Sequence, residues 1–302
     1  MRIVRPSTLG FHGLIAAILG GAVAVVGAHA VDGGAWWGLV AAGLVAAFGL
    51  RRPLRRWWAV RRPFPEAWRA WLHAHVPFYS HLDPDARRRF EQDVQIFLAE
   101  HTFEAVDGAP ITDELRLGVA AGAALLLHGR PDWELPAGRT ILIYPDRFDD
   151  DYYLTDDAGF DGMVHEQGPI ILSAQAVAES WAHPGDGNNV VLHELAHLFD
   201  YENMSADGVP SLLDPASEAS WRRLVRREMQ HARLGKSLLR RYAATNPAEF
   251  FAVAVENFFE RPELLRRRHA ELFDVLVALF NLDPRLPEAP DAAPAPRQVP
   301  DA

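Results

Sequence analysis

A chain of 302 residues that is 49% apolar, with a formal net charge of −10, can bury a large core in one large or two medium domains. It contains no cysteine, which excludes disulfide scaffolds, thiolate metal sites and cysteine nucleophiles, so any metal must be held by nitrogen and oxygen. Up to Arg62 eight arginines face one acid, Asp32, a surplus of +7, so the rest carries −17 and lacks the basic face that a nucleic-acid partner requires.

From Leu9 to Val31 the chain is almost wholly apolar, with His12 and His29 as its only strongly polar side chains. A second run, Gly33 to Leu50, carries no charge. Each approaches the length that crosses a bilayer. Asp32-Gly33-Gly34 reads as a tight turn, so the pair reads as a transmembrane helical hairpin. Arginines flank both outer ends, and Arg51–Arg62 interleaves them with Trp57 and Trp58 as an interfacial anchor would. The positive-inside rule then puts everything after Arg51 on the cytoplasmic side. The alternative is a signal peptide cleaved at Ala28-His29-Ala30; Gly33–Leu50 would then be a single span.

The soluble part, 63–283, starts with an aromatic-rich stretch, Pro63 to Leu82, that reads as a short helix. Asp83-Pro84 is an N-cap followed by proline at the first helical position, and Phe90, Val94 and Phe97 line one face of the helix it opens. Thr112 starts another, through Leu115, Val119 and Ala123 to Leu127. Arg139–Tyr144 and Pro169–Ser173 read as strands, the second either an edge strand open to an extended peptide or an ordinary core strand. The acidic stretch between them, with Asp149, Asp150, Asp151, Asp156 and Asp157, lacks the ligand order of a calcium loop and reads as solvated. Helices follow at Ser217–Arg233, from Asn246-Pro247, and at Glu263–Phe280, before a Pro/Ala-rich tail, 284–302, that reads as disordered. Few strands among many helices predict an α+β fold.

Between these elements lies His193-Glu194-Leu195-Ala196-His197, the H-E-x-x-H pattern, on a helix capped by Asn188 or Asn189 and running to about Glu202. Histidines four apart stand one turn above each other, so both imidazoles reach one metal ion, and Glu194 is placed to act on a metal-bound water. A catalytic zinc takes three protein ligands. The compact three-histidine pattern fails, because its glycine position holds Asp200 and its last histidine position Asn203. Asp200 could ligate or face solvent, but reads best as orienting a motif histidine through a hydrogen bond. Glu249 and Glu256, seven residues apart on one helical face, are further options; Glu249 could instead complete a capping box with Asn246, and Glu256 could pair with an arginine. Other chemistries fit poorly. Leu234-Gly235-Lys236-Ser237 ends like a phosphate loop whose first glycine position holds Gln230, no serine lies in a G-x-S-x-G elbow, and His128 reads as a helix-end or core residue.

The segment HELAHLFD, Ala206-Asp207-Gly208-Val209-Pro210, and Tyr242 with Asn246-Pro247-Ala248-Glu249-Phe250-Phe251-Ala252-Val253 resemble the MtfA (Mlc titration factor A) family of zinc metallopeptidases, the likeness extending from about Trp68 to Pro284. The catalytic part also resembles the corresponding domain of anthrax lethal factor. The resemblance implies a zincin-like, gluzincin-type domain holding one Zn2+ through His193, His197 and Glu249, with Glu194 as general base and Tyr242 as a hydrogen-bond donor in the transition state. It implies a peptide or protein substrate and aminopeptidase-like activity, and it admits a transcriptional regulator as partner, since the family's best-known member binds the glucose repressor Mlc. That member is soluble and cytosolic. The hairpin of this chain, in the bilayer of a bacterial inner membrane, is an addition, and the interval from His197 to Glu249 is shorter. The rival expectation is a membrane-tethered protein that sequesters a regulator, with zinc serving structure.

Overall fold

A computed structural model describes residues 1–4, 6–31, 33–135, 140–146, 162–164, 168–200, 208–210, 213 and 215–285, with backbone alone at 6, 162–164, 200 and 215. The acidic stretch 149–157 and the tail beyond Arg285 lie outside the described residues. The fold is mostly helical around one small sheet.

Helices α1 (Pro6–Ala30) and α2 (Trp37–Arg61) are long and apolar enough to cross a membrane. Gly33, at φ 77°, turns the chain between them in a conformation that glycine adopts without cost. The two helices approach through glycines: a Cβ on Gly38 would lie 2.3 Å from the Gly20 carbonyl, and one on Gly27 2.3 Å from that of Gly34. Past the apolar stretch α2 continues through Pro53 to Arg61, and its arginines divide. Arg51 and Arg61 lie over the rings of Phe48 and Trp57. Arg52 and Arg56, one turn apart, turn to two acids instead, Arg56 buried and Arg52 half-buried. Both bind Glu100 through Nε, at 2.8 and 2.7 Å, and both reach Glu134, at 2.9 and 2.5 Å. The interfacial-anchor expectation therefore describes only part of this segment.

The aromatic stretch forms two helices, α3 (Glu66–His75) and α4 (Pro77–Ser80), because Pro77 cannot continue the first. Helix α5 (Pro84–Glu100) is capped as expected, with the Asp83 carboxylate accepting from the amides of Asp85 and Ala86 and with Phe90, Val94 and Phe97 fully buried. Strand β1 (Thr102–Ala105), too short and mixed for a sequence signal, runs parallel to β2 (Thr140–Tyr144). Between them α6 (Asp113–Leu127) starts at Thr112, whose hydroxyl accepts from Leu115 N–H at 3.1 Å. Strand β4 (Ile170–Ser173) is parallel to β2 on one side and antiparallel to β3 (Gly162–Val164) on the other, giving the order β1-β2-β4-β3. With both sides paired, β4 is a core strand and not an open edge.

Helix α7 (Ala174–Ala182) leads to α8, described over Val190–Asp200; the expected end at Glu202 lies outside the described residues. Helices α9 (Glu218–Arg233) and α10 (Pro247–Glu260) follow. The single helix expected over 263–280 is two, α11 (Pro262–Arg268) and α12 (Ala270–Phe280). His269 leaves helical geometry between them, its Nδ1–H donating to Glu228 at 2.8 Å while Nε2 accepts from Leu238 N–H at 3.2 Å. A tertiary demand overrides the local pattern there.

Helix α6 is rich in alanine and glycine and buried over nearly its whole circumference. Its small residues let α7 and α8 approach closely. A Cβ on Gly118 would lie 2.7 Å from the Trp181 indole nitrogen, and one on Gly122 2.5 Å from Val191 Cγ1, at the start of the H-E-x-x-H helix. Alanine for glycine within a helix ordinarily stabilises by about 0.5–1 kcal/mol. Here overpacking, at about 1–3 kcal/mol, outweighs that gain. Gly122→Ala should lower the thermal midpoint and weaken metal binding together; an unchanged or raised midpoint would show that the α6–α8 contact has room.

Candidate metal centre

Asn189 starts α8: its carbonyl accepts from His193 N–H at 2.9 Å and its side chain from Leu192 N–H at 3.1 Å. Val191, Leu192, Leu195, Ala196, Leu198 and Phe199 fill the core, which fixes the rotation of the helix and turns His193, Glu194 and His197 toward α10. All three are buried, and the two imidazoles lie 5.0 Å apart at 82°.

On α10 the Asn246 side chain accepts from Glu249 N–H at 2.9 Å, which fixes Glu249 at the third helical position. Only half of a capping box forms, because the carboxylate turns to the histidines. Its Oε2 lies 2.9 Å from His193 Nε2 and its Oε1 3.7 Å from His197 Nε2. The three side chains offer ligand atoms all within 4.8 Å of one another. Tetrahedral ligands at bond lengths of about 2.0–2.1 Å are spaced by about 3.3 Å, so this nitrogen–nitrogen–oxygen set fits a zinc-sized ion.

The other ring nitrogen of His193 supports the same conclusion. Its Nδ1 lies 2.7 Å from Glu256 Oε1, inside the core. The Glu256 carboxylate also accepts from Asn189 N–H at 2.8 Å and from Arg240 at 2.8 and 2.9 Å. Burial would raise Glu256, but His193 and Arg240 hold it below the usual carboxylate range, so Nδ1 carries the proton. The Nε2 lone pair would then oppose the Glu249 carboxylate at 2.9 Å, an arrangement that needs a cation between them. Without a metal that cation is a proton: burial alone would lower His193, but Glu249 and Glu256 push it up to about 10. His197 is pushed down to about 4 by burial and by the charge on His193.

Tyr242 stands on a 3-10 turn, Arg241–Ala244, with its ring 5.9 Å from that of His193 and a hydrogen bond to Glu249. Burial and Glu249 hold the phenol well above its ordinary range, so it is a donor. A cleft of about 500 Å³ opens beside these groups, lined by His193, Glu194, Arg240 and Tyr242 and, further out, Glu179 and Asp186. The structure thus brings Glu194, Tyr242, His193, His197 and Glu249 to one place. The side chain of Asp200 lies outside the described residues. The Glu256–Arg240 pair was the less legible part: the seven-residue spacing put Glu256 on the face of Glu249, but nothing in the sequence identified its arginine.

Two predictions follow from this geometry. The proton on His193 Nε2 is present below about pH 10, so metal affinity should fall by about tenfold per unit as pH drops below that value. Calorimetric titration near neutrality in two buffers of different ionisation enthalpy should record about one proton released per ion; no release would contradict the charge assignment. Glu256→Gln, which keeps the shape but removes the charge, should weaken metal binding by about 10–100-fold. Unaltered binding would show that Glu256 serves packing alone.

A match to known families agrees with this site. The glucose-regulated metallo-peptidase M90 family matches residues 50–281. An uncharacterized protein of Synechocystis sp. is 34% identical over 242 residues, covering 74% of this chain and 86% of the relative. Mlc titration factor A of Klebsiella pneumoniae strain 342 is 31% identical over 226 residues, covering 69% and 84%. The protein of that name from Enterobacter sp. strain 638 is 32% identical over 250 residues, covering 75% and 91%. The chain therefore belongs to the M90 metallopeptidase family, together with the Mlc titration factor A proteins.

Proposed function

We propose that this chain is a membrane-anchored, zinc-dependent peptidase. The observation that carries the reading is the convergence of His193, His197 and Glu249 on one point, buried, beside Glu194 and an open cleft. A zinc ion held by these three ligands would activate a water and polarise the scissile carbonyl. Glu194 accepts the proton from that water and returns it to the leaving amine. The Tyr242 hydroxyl shifts its hydrogen bond from Glu249 to the developing oxyanion, an interaction that speeds the reaction by strengthening in the transition state. Glu256 keeps the Nδ1 proton of His193 in place, and Arg240 balances its charge.

The anchor is α1 and α2, with the arginines beyond each outer end favouring the cytoplasmic side of a bacterial inner membrane for the peptidase part. The organisation is then a hairpin with its basic end, 1–62, a peptidase domain, 63–283, and a Pro/Ala-rich tail, 284–302. The acidic body fits a peptide or protein substrate and no nucleic acid. A second reading draws on the printed name of the relatives, Mlc titration factor A: a tethered protein that sequesters a transcriptional regulator.

Glu194→Gln separates the two. It should retain bound zinc while lowering peptide hydrolysis by about 10²–10⁴-fold, the scale of a general base. Cleavage at the wild-type rate would overturn the mechanism; binding of a regulator by a chain that cleaves no peptide would favour sequestration.

A further inference from the structure

The apolar part of α2 ends at Leu50, and the helix runs on to Arg61 through Pro53, which cannot donate to the Gly49 carbonyl; Arg52, on the span's side of that proline, and Arg56, beyond it, bind the same two acids. Arg52 lies two residues past that boundary, about 3 Å further along the axis. Its guanidinium, 36% exposed, and that of the buried Arg56 are both held by Glu100 and Glu134, whose carboxylates are 2% and 7% exposed. Removing either side of such a cluster would strand buried charge, so the contact is stiff. Arg51 and Arg55 remain exposed at the same level.

The contact leads directly to the metal centre. Trp133, the neighbour of Glu134, stacks on Phe199 with ring centroids 3.9 Å apart and planes 22° apart. Phe199 is fully buried and lies two residues past His197 on the same helix. From the end of the apolar stretch to the metal-binding helix there are thus two side-chain contacts, joined through the neighbouring residues Glu134 and Trp133.

We propose that the Arg52/Arg56–Glu100/Glu134 clamp holds the metal centre at a fixed, short reach from the bilayer surface, and that its substrates are the membrane-proximal segments of other membrane-bound proteins. This rests on the peptidase and membrane readings above. A flexible tether would let the site sample a wide shell of solvent; a rigid mount confines it to one height.

The test uses the full chain in nanodiscs of phosphatidylethanolamine and phosphatidylglycerol. Because the chain has no cysteine, His183→Cys, at an exposed position on the cleft, takes a single fluorescent donor, with the acceptor on lipid headgroups. A second form carries a Gly/Ser insert between Leu50 and Arg51, which leaves the clamp whole but frees it from the span. Energy transfer should be strong in the first form and fall in the second. One peptide sequence is also offered, to unlabelled chains that keep His183 and either carry or lack the insert, free and on headgroups through short or long spacers. The short-spacer peptide should be cleaved about tenfold faster than the long, a ratio lost in the insert form while the free-peptide rate holds. Equal transfer in both forms, or a rate indifferent to spacer length, overturns the proposal. Failure to cleave any peptide overturns the peptidase reading and this substrate class with it, and failure to enter the nanodisc overturns the membrane reading; each is distinguishable from a misplaced but active enzyme.

Discussion

The imidazole of His193 lies between two buried carboxylates, and this arrangement sets the charge that the centre must hold. Glu256 accepts a hydrogen bond from Nδ1–H and Glu249 faces Nε2. With Glu194, three buried carboxylates meet at the inner end of the cleft, against one permanent cation, Arg240. A single proton on His193 leaves this cluster negative. A divalent ion makes it neutral, with Glu194, Glu249 and Glu256 opposed by the ion and Arg240. Because an uncompensated buried charge is costly, the electrostatics themselves favour a doubly charged occupant.

Only two segments supply these groups. Helix α8 brings the histidines and Glu194, while residues 240–256 bring Arg240, Tyr242, Glu249 and Glu256. Asn189 joins them, since it caps α8 and also donates its amide to Glu256. The capping residue of the metal-binding helix is thus bonded to the carboxylate that orients the first histidine, and any shift of α8 along its axis disturbs both. Glu249 gains from its place in the first turn of α10, where the helix dipole favours negative charge.

What could be read from sequence follows from the range of each interaction. His193, Glu194 and His197 are local: a helix and a spacing of four suffice, and the caps Asp83, Thr112 and Asn246 were legible for the same reason. Glu249 needed more, since spacing alone left it level with Glu256 and a capping role; the family likeness favoured it, and the turn of its carboxylate agrees. Arg240 could not be found, because its pairing with Glu256 depends on how a 3-10 turn folds back against α10. The break at His269 was missed likewise, its cause lying on α9 and in the loop after it. Strands β1 and β3, of four and three residues, carry too few side chains to alternate visibly.

The basic stretch after Leu50 shows the same limit with larger consequences. Composition identifies six arginines among twelve residues but not which way each points. Two at helical spacing, Arg52 and Arg56, meet acids that lie 44 to 82 residues away, so a segment that reads as lipid anchor is also part of the domain interface. A purely electrostatic anchor would weaken in salt, because exposed charges beyond a Debye length are screened. Buried pairs resist that screening. The attachment of α2 to Glu100 and Glu134 is therefore governed by packing and desolvation, the property on which the proposed mount rests.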